Sequence, residues 1–326
     1  MRFIYFTDSH IRGTNPKSRT DNFFHTVLNK IREIQELSLS WEADYILHGG
    51  DLFDRPDVSI SVMNDVIPVL QKFTKPVYAI SGNHDIYGHN PITLPRTMMG
   101  LLDTLGIIHI INNEHILLKD KETTVQLSGA PYIYGLDREE NREFYIVREK
   151  DPKADFAIHL VHGFLMTDST KAMFSHTTIS DISDTKADLT LSGHLHDGIP
   201  TTEFHGKTFA NPGAIVRISN SLTELKRRPK VLLIEVVKDH CTIEEYYLKS
   251  AQPGDEVLDR TEIEMHKFKR RELAEFKESI EGAGRYDHIN FLDVIVDIAE
   301  NEKLDPGIKE EALRRIADVE ERRSNL

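Results

Sequence analysis

Gly49-Gly50-Asp51-Leu52-Phe53-Asp54 directly follows the apolar run Ala43–His48, and together these residues decide the fold class. The run has the length and composition of a buried strand, and the two glycines let the backbone turn sharply at its end. We therefore expect Asp51 at the carboxyl end of a strand. Sheets flanked by helices place their ligand sites at such ends.

The segments around this motif alternate between strand and helix patterns. Thr20–Leu37 and Ser59–Phe73 carry apolar residues at helical spacing, whereas Arg2–Thr7 and Pro76–Ile80 have the pattern of short strands. This alternation predicts a sheet covered by helices. From Val125 onward, strands with little helix between them predict a second sheet packed against the first. These strands are predicted at Val125–Ser128, Ala157–Val161, Leu189–Leu191, Thr208–Ala210, Val231–Val237 and Thr242–Leu248.

Four more polar motifs follow apolar strand-like runs. They are Asp8-Ser9-His10, Gly82-Asn83-His84-Asp85, His162-Gly163 and Gly193-His194-Leu195-His196. Carboxylate, amide and imidazole groups together suit manganese, iron or zinc, and Cys241 alone cannot build a thiolate site. Two metal ions about 3.5–4 Å apart can share a carboxylate and clamp a phosphoryl group.

Each motif alone also has an ordinary structural interpretation. Asn83-His84-Asp85 can form a turn in which side chains bond to the backbone, and His194 and His196 can face solvent from a strand. The set of five motifs in this order favours the metal site.

In that order the five motifs resemble those of the calcineurin-like metallophosphoesterases over residues 1–250. The resemblance implies an α/β fold, a four-layer α/β/β/α sandwich, with a small C-terminal helical extension. It also implies two divalent metal ions, Mn²⁺ first, with Fe²⁺, Mg²⁺ and Zn²⁺ as alternatives. One ion is expected on Asp8, His10, Asp51 and His196, and the other on Asp51, Asn83, His162 and His194.

In the same family the histidine of the third motif is not a metal ligand. The resemblance therefore implies that His84 contacts the scissile phosphate and helps to protonate the leaving oxygen. Asp85 is predicted to orient His84, with a purely structural turn role as the alternative. Asp54 and Arg55 are expected around the metal ligands rather than among them.

A finer resemblance, to the SbcD-type nuclease subunits, is carried by residues 50–56, 193–196 and 211–217. It implies a manganese-dependent 3′-to-5′ exonuclease and single-strand endonuclease acting in DNA repair and recombination. The expected partners are DNA, an SbcC-like coiled-coil ATPase and a second copy of this chain. Ser9 departs from that subfamily, which has an aromatic residue there, and the short stretch after the core suggests a compact or phage-encoded member.

The C-terminal part is charged and has a helical pattern. Ile289–Ile298 and Ile308–Val319 carry apolar stripes and predict a hairpin that docks on the ATPase or packs on its own domain. The expected organisation is a nuclease domain over residues 1–250, a short linker or cap over 251–285 and the hairpin over 286–326. Lys267–Arg271 is either a phosphate contact or a solvated helix face.

Composition narrows the class of protein. The formal net charge of −13 argues against a protein that coats nucleic acid, although bound metal ions would reverse the charge of a cleft. A single cysteine, the lack of a signal-peptide pattern and the lack of a membrane-spanning run predict a cytoplasmic location. Two alternatives stay open: a phosphodiesterase or phosphatase for cyclic nucleotides or other small molecules, and a non-catalytic scaffold.

Overall fold

The computed structural model describes residues 1–167 and 174–261, together with positions 265, 269, 307, 308, 311, 314 and 315. The chain divides into two units, Met1–Arg260 and Thr261–Leu326, and the elements described below belong to the first. Most of the predicted hairpin at 286–326 and most of the predicted linker at 251–285 lie outside the described residues. Both stay predictions.

Fourteen strands and five α-helices are present in the part of the chain that the structure describes. The strands are β1 Arg2–Phe6, β2 Tyr45–His48, β3 Val77–Ala79, β4 His109–Ile110, β5 His115–Lys119, β6 Thr124–Ala130, β7 Phe156–Gly163, β8 Leu165–Met166, β9 Thr177–Thr178, β10 Leu189–His194, β11 Ile199–Phe204, β12 Lys207–Asn211, β13 Lys230–Val237 and β14 His240–Tyr247. The helices are α1 Phe23–Ser40, α2 Ile60–Leu70, α3 Met98–Thr104, α4 Leu222–Lys226 and α5 Gly254–Val257.

The strands form two six-stranded sheets and a small ribbon. The first sheet has the order β14-β13-β1-β2-β3-β4, the second has the order β11-β12-β10-β7-β6-β5, and β8 pairs with β9. β1, β2 and β3 run parallel to one another, and so do β6, β7, β10 and β12. The carboxyl ends of each parallel group therefore lie along one edge of its sheet.

β1 is buried on both faces, and this places it at the centre of the molecule. Phe3 and Tyr5 pack in the cluster that also contains Leu127 of the second sheet, whereas Ile4 packs in the cluster that contains the helices. Because successive side chains of a strand point to opposite faces, this alternation requires a layer on each side of the first sheet. Each such fully buried side chain stabilises the fold by about 1.5–3 kcal/mol.

The two long helices begin at polar caps. The Asn22 side chain accepts from the amide of His25 at the start of α1, and Ser59 accepts from the amide of Val62 at the start of α2. These contacts satisfy amides that have no partner within the helix. Among the described residues, no helix combines the length and apolar character needed to cross a bilayer.

Short 3₁₀ segments cover the outer face of the second sheet. Glu139–Tyr145 and Ser180–Ile182 surround a cluster in which Tyr145, Ile182 and Phe209 are completely buried. The layers are thus helix, sheet, sheet and short helix, and the predicted α/β sandwich is confirmed. The predicted strands from Arg2–Thr7 to Thr208–Ala210 each overlap an observed one.

The assignment of the last two predicted strands to the second sheet is wrong. β13 pairs antiparallel with β1, with Leu233 opposite Ile4, and β14 pairs with β13. Val231 and Leu233 pack in the helix-side cluster, while Leu232 and Ile234 pack between the sheets. β13 therefore lies beside β1, with apolar side chains buried on both of its faces. Its sequence pattern predicts a buried strand but does not distinguish this position from one in the second sheet.

A buried histidine in β7 gives the fold a pH-dependent stability. The ring of His159 is nearly inaccessible; its Nε2–H donates to the Phe144 carbonyl at 2.9 Å, so Nδ1 accepts from the Ser128 hydroxyl, also at 2.9 Å. Burial lowers the pKa of His159 from 6.5 to about 4, against a smaller opposing effect of the Phe144 carbonyl. The unfolded chain thus binds more protons than the folded chain between these two values.

We expect the free energy of unfolding to fall by up to about 3 kcal/mol through this group as the pH drops from about 7 toward 4. The stabilising contribution of neutral His159 is fully present above the pKa of this residue in the unfolded chain. It is lost as the pH falls toward the pKa of His159 in the folded chain. Urea unfolding of the wild type and of His159→Gln, across this range, measures it. The stability advantage of the wild type should shrink with falling pH, and parallel profiles would contradict the expectation.

Candidate metal centre

The predicted ligands come from the carboxyl ends of both parallel strand groups. Asp8, Asp51 and Asn83 follow β1, β2 and β3 of the first sheet, while His162 and His194 lie near the ends of β7 and β10 of the second. In the second sheet Gly193 pairs with His162, which sets the two histidine-bearing ends side by side. The site therefore lies where the ends of the two sheets meet.

Direct hydrogen bonds join the two sheets at this point. His162 Nδ1–H donates to the Gly49 carbonyl at 2.7 Å, and the amide of His194 donates to the Asp8 carboxylate at 3.1 and 3.2 Å. A Cβ atom at Gly193 would collide with the Thr7 hydroxyl. A glycine is needed there because the backbones of the two sheets approach too closely for a side chain.

Four of the predicted ligands have left-handed backbone conformations. The φ angles are 53° at Asp8, 41° at His10, 53° at Asp51 and 72° at His194. Such a conformation costs a non-glycine residue about 1–2 kcal/mol, and strain of this kind concentrates at functional sites. The amide of His10 donates to the Asp51 carbonyl at 3.0 Å, which helps to hold two of these turns together.

Asp8, His10 and His196 form the first donor set. His10 Nε2 and His196 Nε2 are 2.9 Å apart, and Asp8 Oδ1 lies 3.8 Å from the former and 3.7 Å from the latter. One donor atom from each residue lies within 4.8 Å of the others. The structure thus brings together three of the residues predicted for one ion.

Asp51, His162 and His194 form the second donor set, again with donor atoms within 4.8 Å. Asp51 Oδ2 is 3.3 Å from His162 Nε2, and Asn83 Oδ1 is also 3.3 Å from that nitrogen. The same Asp51 Oδ2 lies 3.7 Å from His10 Nε2 of the first set. Asp51 therefore lies between the two sets, where a shared carboxylate is predicted.

The donor chemistry of both sets fits divalent metal ions. His10 Nε2 and His196 Nε2 lie 2.9 Å apart, so a buried ring nitrogen faces another ring nitrogen rather than a conventional acceptor. Carboxylate oxygens of Asp8 and Asp51 lie 3.8 and 3.7 Å from His10 Nε2. Buried polar atoms normally have partners, so exceptions of this kind call for an explanation. A cation bound between the rings and carboxylates would supply it.

The electrostatics of the site give the two aspartates and two of the histidines protonation states suited to metal binding, whereas at His10 neighbouring carboxylates outweigh burial and raise the pKa. Burial would raise the pKa of Asp8 and Asp51, but neighbouring histidine rings outweigh it and hold both pKa values below the ordinary range. Burial lowers the pKa of His194 to about 3 and that of His196 to about 4. Ionised carboxylates and neutral imidazoles are the forms that bind metals.

His162 differs from these two histidines. Burial lowers its pKa, but the Asp51 carboxylate and, more weakly, Asp8 raise it to about 9. These carboxylates thus stabilise a positive charge at the ring. A metal ion would provide that charge in place of the proton.

His84 lies beside the donor sets, and its ring orientation is fixed. Its Nδ1–H donates to the Asp54 carbonyl at 2.8 Å, and its amide donates to Asp51 Oδ1 at 2.8 Å. The ring stands nearly perpendicular to that of His10, with centroids 4.8 Å apart. Nε2 is therefore the ring nitrogen available for substrate.

Asp85 does not make the contact that was predicted to orient His84. Its carboxylate accepts from the amides of Gly82 at 2.9 Å, Phe53 at 3.0 Å and Leu52 at 3.3 Å. Burial and the nearby Asp51 raise its pKa to about 6, against the lowering effect of these amides. Asp85 instead holds the turn after β3 to the turn after β2, which corresponds to the structural alternative.

The two residues expected around the ligands have different positions. Asp54 accepts from Arg12 at 2.9 Å and places Oδ1 3.7 Å from His10 Nδ1, so it supports a predicted ligand. Arg55 pairs instead with Asp57 at the exposed surface. The expectation for Arg55 is wrong, and no sequence motif indicated a role for Arg12.

The turn at residues 211–217 supports the site through backbone hydrogen bonds to residues next to and within the first donor set. The amide of Ala214 donates to the His196 carbonyl at 3.0 Å, and the amide of Ile215 donates to the Thr7 carbonyl at 3.2 Å. The Ile215 carbonyl in turn accepts from the buried ammonium of Lys30 at 2.7 Å. The segment therefore links the backbone next to Asp8 with that of His196.

Several side chains near the site were not predicted. Ser9 Oγ lies 3.0 Å from Nε2 of the buried His48, and burial lowers the pKa of that histidine to about 3. The rings of Tyr132 and Phe164 pack on His194, with centroids 5.5 and 4.0 Å away. Neither ring belongs to a recognisable motif, although Phe164 directly follows His162-Gly163.

Known proteins share parts of this chain. The double-strand break repair protein MRE11 of Encephalitozoon cuniculi is 25% identical over 305 residues, 81% of this chain and 50% of that protein. The DNA double-strand break repair protein Mre11 of Archaeoglobus fulgidus is 23% identical over 236 residues, 67% of this chain and 50% of that protein. The chain spans about half the length of these curated relatives.

A solved dimetal phosphatase from Danio rerio has a TM-score of 0.49 and 11% identity, with 76% of this chain and 96% of that chain covered. A family model described as calcineurin-like phosphoesterase matches residues 1–198. This match covers more than half of the 326 residues and confirms the resemblance carried by the five motifs. The chain belongs to the calcineurin-like phosphoesterase family.

Proposed function

We propose that this protein is a manganese-dependent DNA nuclease, a 3′-to-5′ exonuclease and single-strand endonuclease that serves DNA repair and recombination. The observation that carries the proposal is the position of Asp51, whose Oδ2 lies 3.7 Å from His10 Nε2 and 3.3 Å from His162 Nε2. A carboxylate shared by two donor sets is the arrangement that two-metal phosphoester hydrolysis requires. Support for DNA comes from the names of the curated relatives, both double-strand break repair proteins.

The seven predicted metal ligands divide between the two donor sets. Asp8, His10 and His196 would hold one ion, Asn83, His162 and His194 the other, and Asp51 would contact both. When bound, the two ions supply an activated water and a positive charge that neutralises the phosphoryl oxygens. Seven filled ligand positions are not what a non-catalytic scaffold needs, so we propose an enzyme.

His84 supplies the proton for the departing oxygen. Since Nδ1–H donates to the Asp54 carbonyl, the protonated ring can donate only through Nε2. Attack of water on phosphorus forms one P–O bond and breaks another, and the oxygen that leaves takes the Nε2 proton. The hydrogen bond from the backbone amide of His84 to Asp51 Oδ1 keeps this proton donor at a fixed distance from the two sets of predicted metal ligands.

We further propose that the protein acts with a coiled-coil ATPase of the SbcC type and as a homodimer, inside the cell. The basis is the SbcD-type resemblance and the relatives' names. Most of the predicted docking hairpin at 286–326 lies outside the described residues.

Cleavage of end-labelled DNA by the purified protein with manganese tests the proposal. Degradation that requires manganese and stops on chelation is the expected result. Intact DNA together with hydrolysis of a cyclic nucleotide or another small phosphodiester would retain the metal centre but overturn the nuclease assignment. No hydrolysis of any phosphoester with any of the four metals would favour a scaffold.

A further inference from the structure

Two series of aromatic rings extend outward from His194. In the first, ring centroids are 5.5 Å apart between His194 and Tyr132, 5.4 Å between Tyr132 and His89, and 6.5 Å between His89 and Tyr134. These separations are typical of rings in contact. The first series thus connects the donor sets to a ring on the surface.

The second series is shorter. Phe164 lies 4.0 Å from the His194 ring and 4.8 Å from Phe174, measured between centroids. We call Tyr132, Tyr134, Phe164 and Phe174 the aromatic platform. Phe164 directly follows His162-Gly163, and Tyr132 and Tyr134 follow β6, which pairs with the ligand-bearing β7.

The platform becomes more exposed with distance from the metal centre. Tyr132 and Phe164 are half-buried against His194, whereas Phe174 is 48% exposed and Tyr134 is 69% exposed. A single exposed aromatic side chain is unremarkable. A continuous path of rings from a phosphoesterase centre to solvent presents π faces to whatever is attached to the scissile phosphate.

The charge of the chain determines what such a surface can bind. With a net charge of −13, neutralisation of many phosphates by lysine and arginine is a poor source of affinity for DNA. Stacking of bases on aromatic rings gives affinity that does not depend on net charge and tolerates any sequence. Arg138 adds a positive charge to the platform, because its guanidinium carbon lies 5.2 Å from the centroid of the Tyr134 ring.

We propose that the aromatic platform binds the unpaired bases of single-stranded DNA on either side of the scissile phosphate, by stacking. This inference rests on the proposed nuclease function and adds the substrate form: bases that are already unpaired and unstacked, since the faces of bases inside a duplex are covered by their stacked neighbours. Arg138 contacts the backbone beside the base on Tyr134.

Binding of a labelled oligothymidylate of about ten nucleotides tests the proposal. The measurement is fluorescence anisotropy with manganese, in a His84→Ala background that slows cleavage, and it is completed before the DNA is cut. Adding Tyr134→Ala or Phe174→Ala should weaken binding by about five- to a hundredfold. An oligomer of the same length with abasic residues should bind more weakly to the background protein, and the two substitutions should weaken it no further.

Tyr247→Ala is the matched control. Tyr247 is 42% exposed on β14 and has a guanidinium, that of Arg228, 5.4 Å from its ring centroid, but it does not belong to the platform. It should leave the affinity unchanged. Unchanged affinity in Tyr134→Ala and Phe174→Ala, or equal losses on the intact and abasic oligomers, would overturn the platform. Failure of the wild type to cleave DNA would instead overturn the nuclease function, because the binding comparison does not require cleavage.

Discussion

Asp51→Asn is expected to reduce the rate of phosphodiester hydrolysis by more than about a hundredfold, the upper end of the loss caused by removing a group that only orients a metal ligand. The reason is the position of the carboxylate. Oδ2 lies within 3.7 Å of donor nitrogens from both sets, and the side chain is almost completely buried. Removal of its charge therefore affects two metal sites at once.

The substitution is chosen to keep the fold. An asparagine has the shape of the aspartate, and its carbonyl oxygen can still accept from the His84 amide, as Oδ1 does at 2.8 Å. What is lost is the negative charge that helps to raise the pKa of His162 to about 9 and that would attract both cations. We expect a folded protein with lower manganese content.

Manganese content and the thermal unfolding midpoint provide the measurements besides activity. Ligands that bind only the native state stabilise it, by about 3 kcal/mol at a hundred times the dissociation constant. Manganese should therefore raise the midpoint of the wild type more than that of Asp51→Asn. Asp54→Asn is the comparison variant, because Asp54 pairs with Arg12 and lies near His10 Nδ1, the ring nitrogen that points away from the donor sets.

For Asp54→Asn the expected loss is about 10- to 100-fold, with both ions retained. Wild-type turnover and full manganese content in Asp51→Asn would contradict the shared-carboxylate geometry. Equal defects in the two variants would show that Asp51 acts only as a supporting group.

The strands of the core could be predicted because their signal is local. β1 alternates Phe3 and Tyr5 toward one cluster with Ile4 toward the other, so every residue is apolar and the run is unmistakable. β5 and β11 were missed because most of their side chains are exposed or half-buried, which leaves little apolar alternation to detect.

Sheet membership could not be predicted in the same way. β13 lies more than 220 residues from β1 along the chain, yet Leu233 pairs with Ile4. An apolar alternation shows that a strand is buried, but it does not identify the neighbouring strand. The partner of β13 is set by tertiary packing, and only the structure determines it.

The convergence of the predicted ligands could be anticipated because these residues occur in short motifs at strand ends. Their convergence depends on parallel pairing, for example that of Gly193 with His162. The supporting groups had no comparable signal. Arg12 reaches Asp54 across a loop, and Tyr132 reaches His194 from the end of another strand, so neither contact follows from local spacing.

The second large effect is expected for His84→Ala, which should slow DNA cleavage by about 10²–10⁴-fold while both metal ions stay bound. The imidazole is held by two contacts, from Nδ1 to the Asp54 carbonyl and from the backbone amide to Asp51. Since Nδ1 is occupied, the proposed proton donation would be made through Nε2. Alanine removes the proton donor but preserves the backbone amide that supports Asp51.

The leaving group gives the sharper measurement. The 3′ or 5′ oxygen of a nucleotide is a poor leaving group that needs a proton, whereas nitrophenolate departs without one. The loss in His84→Ala should therefore be much smaller on bis(p-nitrophenyl) phosphate than on DNA. His25→Ala, at an exposed position of α1, should match the wild type on both substrates.

Two outcomes would assign His84 a different role. Equal losses on the two substrates would mean that it stabilises charge on the phosphoryl group rather than protonating the leaving oxygen. Loss of one manganese ion would make His84 a ligand, a reading that the geometry permits because its ring nitrogen lies within 4.8 Å of donor atoms of His10 and Asp51. The hydrogen bond from Nδ1 to the Asp54 carbonyl leaves Nε2 as the ring nitrogen that can either donate a proton or bind a metal ion. The two roles therefore exclude each other at His84, and the measured manganese content distinguishes them.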